Sequence, residues 1–287
     1  MWNLLTKQTN TLKTKNFIME TTKKKSTTKI WGIKNAGIVI ICCFIVAICI
    51  FKFFLGSPAN FVNNDPNNHP LNLLGTVYKG GVIVPLIQTL LLTVLALSVE
   101  RYFALRSAYG KGSLVKFVAN IKEALAAGDL QKAHAVCDKQ RGSVANVVTA
   151  TLVKYAEVEV NNTLSKEQKI LAIQKELEEA TALEMPMMQQ NLPIIATITT
   201  LGTLFGLLGT VVGMIRSFQA LGAGGGTDSV ALSTGISEAL VNTAFGILTG
   251  ALAVISYNYY TNKIDKLTYS LDEVGFSIVQ TFAATHK

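Results

Sequence analysis
The chain has 287 residues, 49% of them hydrophobic, and a formal net charge of +8. That apolar share, with a positive mean hydropathy, suits a membrane protein carrying a modest soluble part. The charge argues against nucleic acid: eight of the 26 basic residues precede Asn35, beside an apolar run, and no aromatic-interleaved basic patch or zinc-finger spacing occurs. The four cysteines form no CxxC, and His69, His134 and His286 are too scattered for a metal site, so neither a metal nor a cofactor is expected. No Gly-rich phosphate loop or Ser/His/Asp grouping is present, and an enzyme is the least supported reading.

In chain order, residues 1–35 read as a basic, Thr/Lys-rich disordered tail, with Met19 as an alternative start. Residues 36–55 are apolar except for Lys52 and predict a first spanning helix. A cleaved signal peptide is the rival, with Ser57-Pro58-Ala59 as a poor cleavage site. Residues 56–81, rich in Asn, Pro and Gly, read as an extracytoplasmic loop, and residues 82–99 as a second span with Pro85 in its first turn. Arg101 and Arg106 follow at once and mark the cytoplasmic side.

Residues 100–190 predict a helical cytoplasmic domain. Leu114, Phe117, Val118, Ile121 and Leu125 keep helical spacing; Gly128-Asp129 breaks and recaps the helix; further helices cover 130–139 and 144–158. Ser165 and Gln168 form a capping box that opens a long helix running toward the membrane, bent or interrupted at Pro186 and Pro193. Residues 191–260 are a spanning hairpin with a turn over 222–229, and the tail 261–287 continues the last helix as an amphipathic segment. Basic residues number 8 before the first span, 12 over 101–190 and 3 after Tyr260, whereas the two outer loops hold only Lys79. That bias gives four spans with both termini inside, and an all-α polytopic protein whose long helices extend from membrane into cytoplasm.

The hairpin carries more than an anchor needs. Arg216 is the one charge over 192–217 and Glu238 the one charge over 229–260. At 100° per residue, Thr199, Thr203, Thr210 and Ser217 share one stripe of the first arm, and Thr234, Glu238, Asn242, Thr249 and Ser256 share one stripe of the second. A carboxylate at the midplane costs about 2.5–3.5 kcal/mol on insertion scales, so it is expected to border an ion path unless it sits at the outer interface. Gly202, Gly206, Gly209 and Gly213, with Gly246 and Gly250, supply small-xxx-small spacings for close helix packing. One hairpin cannot enclose a pore, so a homo-oligomer is expected.

FGLLGTVVGMIRSFQALG (205–222) and GISEALVNTAFGILTGALAVISYN (235–258) resemble the two signature helices of the MotA/TolQ/ExbB proton channel family, nearest its ExbB branch. VERYFALR (99–106), AGDLQKAHAVC (127–137) and LEEATALEMPMMQQNLPIIATITTLGTL (177–204) extend the resemblance. It implies an inner-membrane homo-oligomer, a pentamer, with an ExbD-like single-helix protein inside the pore and a TonB-like partner. That complex uses the proton-motive force to power outer-membrane transport. Carried over by motif, Thr210, Glu238 and Thr243 would line the proton pathway, with Thr203 and Asn242 on the pore stripe. Thr210 and Thr243 are symmetric about the turn and so at about the same depth. Glu238 and Thr243, five residues apart, lie about 140° apart on the helix, so one of them is expected to face a neighbouring subunit. Thr203 and Leu252 stand where many relatives have helix-bending prolines. A TolQ-like envelope role, a MotA-like stator and a non-conducting scaffold are the alternatives.

Overall fold
The computed structural model describes residues 32, 35–66, 68–223 and 229–285. The N-terminal tail with Met19, and most of the turn over 222–229, lie outside them. Helix α1 (Ala36–Cys49) passes into a π-helical segment, Ile50–Leu55. Two 3₁₀ turns and α2 (Leu73–Tyr78) lead into α3 (Ile83–Tyr109). Then come α4 (Leu114–Ala126), α5 (Leu130–Gln140), α6 (Gly142–Val160), α7 (Lys166–Gln189), α8 (Leu192–Ala223) and α9 (Ser229–Thr285). Among the described residues there is no strand, only an isolated bridge between Phe61 and Pro70. The fold is therefore all-α. Among the described residues four helical segments are long and apolar enough to cross a membrane: Ala36–Leu55, Ile83–Ala126, Leu192–Gln219 and Leu232–Thr285.

The chain divides into two compact units, and α3 and α9 contribute to both. The first contains residues 33–101 and 191–261. Here α8 and α9 pack antiparallel along a glycine seam: a Cβ added at Gly206 would stand 3.1 Å from the Gly246 Cα, and one at Gly213 would stand 2.8 Å from the Gly235 carbonyl oxygen. No side chain fits there, so the two backbones touch. Three hydrogen bonds lay α3, with the junction before it, parallel to α9: Asn242 to the Gly80 carbonyl of the junction (2.9 Å), Ser98 to Ser256 (3.0 Å) and Tyr260 to the Ser98 carbonyl (2.5 Å). The expected outer loop is more ordered than its Asn/Pro/Gly content suggests. Asn60, buried, donates to the carbonyls of Phe54 and Leu55 and so closes the π-helical end of the first span. Leu55 then packs with Val77 of α2 and Val84 of α3.

At the other end of this unit Arg101, expected as a topological marker in the cytoplasm, is 0% exposed. Its Nε donates to Glu100 Oε2 at 2.6 Å and its Nη2 pairs with Oε1, while the Asn191 side chain donates to the same carboxylate at 3.4 Å. Asn191 has φ 66°, a left-handed conformation that asparagine tolerates better than most residues. It separates α7 from α8 between Pro186 and Pro193. The interruption expected at those prolines thus falls between them, and Pro186 itself stays within α7.

The second unit contains residues 102–190 and 262–287. Asp129 caps α5 by accepting from the Lys132 amide at 2.9 Å, and Ser165 and Gln168 form the expected capping box on α7. The end of α9 lines up Leu267, Leu271, Val274, Ile278 and Phe282 at helical spacing, every one fully buried. Phe282 meets the Tyr155 ring edge-on at 4.9 Å. Cys137 is buried on α5, and burial pushes its thiol up to about 12. Because the thiolate is the reactive form, Cys137 is expected to resist maleimide at neutral pH in the folded protein and to react after denaturation. Peptide mass spectrometry of both samples checks this, and equal labelling in the two would refute it.

Candidate functional site
The polar residues of the hairpin take their places from helix periodicity. On α9, Glu238 and Asn242 are four residues apart and therefore share a face. Both are buried, at 5% and 0% exposure. That face meets the α2–α3 junction and the C-terminal half of α8. Arg216 Nη1 of α8 donates to Glu238 Oε1 at 2.5 Å. Gly81 (φ +73°) lies directly over the pair: a Cβ there would stand 2.9 Å from Arg216 Nη1. Any side chain at 81 would displace the ion pair as well as strain the backbone. One turn further along, Asn242 donates to the Gly80 carbonyl, and its Oδ1 is buried without a hydrogen-bond partner.

Thr243 is turned elsewhere. Its hydroxyl donates to the Ala239 carbonyl (3.1 Å) and reaches the Gly206 carbonyl of α8 at 3.4 Å. Glu238 and Thr243 do diverge around α9, as their spacing requires, but each has a partner within its own chain. Gly209 packs against Asn242, so the adjacent Thr210 and Thr243 lie within about one turn of the same level. The Thr210 hydroxyl nevertheless turns back to the Leu207 carbonyl at 2.6 Å, and Thr203 is exposed. The structure thus brings Glu238 and Asn242 together, sets Thr243 in the seam, leaves Thr210 half-buried on α8, and places the hydroxyl of the exposed Thr203 beside Gly250 of α9. Gly202, Gly206, Gly209 and Gly213 face α9, and Gly246 and Gly250 face α8.

The sequence reading passed over two groups. Arg216 is one, and its signal in the sequence is a lone cation and a lone acid on paired helices. Glu100 drew no attention either, because adjacent residues on a helix do not ordinarily face each other. Thr249 and Thr199 bond back to the preceding turn, at the carbonyls of Phe245 (2.8 Å) and Ala196 (2.6 Å), whereas Ser217 also reaches the Leu232 carbonyl of α9 at 3.3 Å. The outward faces of α8 and α9 are apolar, with Leu207, Val211, Phe218, Leu240, Ile247 and Ile255 all exposed in the single chain.

A family model described as the MotA/TolQ/ExbB proton channel family matches residues 144–273, which include the whole hairpin. An ExbB homologue, a biopolymer transport protein of Methanothermobacter thermautotrophicus, is 26% identical over 199 residues, covering 68% of this chain and 66% of the relative. The ExbB-like 3 biopolymer transport protein of Synechocystis is 37% identical over 86 residues, 29% of this chain and 41% of the relative. The Tol-Pal system protein TolQ of Haemophilus influenzae is 31% identical over 104 residues, 32% of this chain and 46% of the relative. The chain thus spans between 41% and 66% of the length of these curated relatives.

Proposed function
We propose that this chain, which belongs to the MotA/TolQ/ExbB proton channel family, is the ExbB-like proton-conducting subunit of an inner-membrane energy-transducing complex. Several copies, five in the family's arrangement, place the hairpin around a central ExbD-like helix. A TonB-like partner carries the resulting motion to outer-membrane transporters. One observation carries this reading: Glu238, a carboxylate buried in a spanning helix and paired with the single cation of the neighbouring one. Such a group is expensive to place there and is retained where ions or protons pass. Thr210, Glu238 and Thr243 border the path, with Thr203 and Asn242 along it.

The exposed apolar faces of α8 and α9 are the surfaces through which copies and lipid make contact, with both termini in the cytoplasm. A proton crossing yields about 2.3 kcal/mol per 100 mV, so useful work takes several. A TolQ-like role in envelope maintenance is the second reading, supported by the 31% identity to a Tol-Pal system protein. Copurification from native membranes separates the two by the partners recovered.

Proton flux into liposomes holding the complex with its copurified partners tests the main reading. Glu238→Gln is expected to abolish flux while the complex still assembles, and this chain without partners is expected to conduct poorly. Undiminished flux through the Glu238→Gln complex overturns the proposal and leaves a membrane scaffold.

A further inference from the structure
Glu238 and Arg216 are unequal partners. The Glu238 side chain is 7% exposed and held beneath Gly81, whereas that of Arg216 is 48% exposed. The carboxylate is fixed, and the guanidinium, on a long flexible stem, is free to swing outward. Few other charges surround them: α8 carries only Arg216, and α9 carries only Glu238 as far as Tyr260. On the α2–α3 junction the nearest cation is Lys79, whose ammonium lies 5.9 Å over the Phe61 ring.

Asn242 completes the arrangement. Its Nδ2 is committed as donor to the Gly80 carbonyl, which fixes the orientation of the amide and leaves Oδ1 as an acceptor. That oxygen is buried and unpartnered, one helical turn from Glu238 on the same face. An ionised Glu238 accepts from Arg216. A protonated Glu238 becomes a donor, and Asn242 Oδ1 is the acceptor that lies ready for it.

We propose that Arg216 is a resident counter-ion gating Glu238: it occupies the carboxylate in the closed state and must swing outward before Glu238 takes a proton and turns to Asn242 Oδ1. Arg216 is thus a positioning residue for the proton path, and the inference rests on the channel reading given above. It also bears on direction, because Arg216 lies about 10 Å from the turn end of α8, on the side from which protons would enter.

Dicyclohexylcarbodiimide, which modifies protonated carboxyls in apolar surroundings, tests this on the full chain in native membranes. The readout is the labelling rate at Glu238 by peptide mass spectrometry at fixed neutral pH. Removing the guanidinium frees the carboxylate oxygen that it occupies for reaction. Arg216→Gln is therefore expected to raise the rate about tenfold, Arg216→Lys to keep it near wild type, and Arg216→Gln with Asn242→Leu to fall below Arg216→Gln alone. Equal rates in wild type and Arg216→Gln, or equal acceleration by Arg216→Lys, overturn the proposal. If Arg216→Gln does not accumulate, Arg216→Met, which keeps an apolar stem, takes its place. Flux remains a separate axis: labelling as expected from a complex that conducts no protons upholds the counter-ion and defeats the channel reading.

Discussion

Replacing Arg101 by alanine is expected to destabilise the membrane unit by about 3–5 kcal/mol, the usual cost of breaking a buried ion pair by removing one partner. Arg101 is 0% exposed and Glu100 is 4% exposed, so the surviving carboxylate would stay buried without its guanidinium. Asn191 would suffer too, since its side chain bonds that carboxylate while its backbone sits at φ 66°. Arg101→Lys keeps the charge but not the two-pronged contact and should fall between wild type and alanine. The double change Glu100→Gln, Arg101→Met removes both charges and should recover much of the loss. Thermal unfolding in detergent is the measurement. An Arg101→Ala melting temperature within about a degree of wild type would show that the pair carries no such weight.

The second large effect is expected at Gly246. A Cβ there would stand 2.6 Å from the Gly206 Cα and 2.6 Å from the Gly202 carbonyl oxygen, backbone atoms that no rotamer change relieves. Gly246→Leu is therefore expected to separate α8 from α9 at a cost of about 3 kcal/mol or more, a melting temperature lower by about 5–10 °C. Gly246→Ala should do the same on a smaller scale. Gly222, whose added Cβ would meet nothing within 4 Å, is the control and should tolerate alanine. A stable Gly246→Leu variant would mean that the hairpin is held by something other than its glycine seam.

Much of this architecture was legible because its signals are local. Four spans follow from runs of apolar residues, the seam from four-residue glycine spacing, and the start of α7 from Ser165 and Gln168 alone. The angular conflict between Glu238 and Thr243 was visible in arithmetic. What stayed hidden depends on partners distant in sequence. Arg101 looks like a cytoplasmic marker until Asn191, 90 positions later, is brought to Glu100. Arg216 is only the one charge over 192–217 until the hairpin register sets it against Glu238 and Gly81 covers both. Asn60 reads as ordinary loop until it is found closing the first span. Nor did the end of the apolar run at Val99 announce that α3 continues to Tyr109, because helix propensity persists where apolarity stops.

Three hydrogen bonds hold α9 to α3 and to the junction before it, joining residues 158 to 162 positions apart. Two parallel rods riveted at top and bottom cannot slip past each other by a turn without shearing every rivet together. The α8–α9 seam is closed differently, largely by bare main chain, with Arg216 and Thr243 adding polar clasps beside it. Within the membrane unit α9 is thus the common partner, riveted to α3 by side chains and set flush against α8 by glycine.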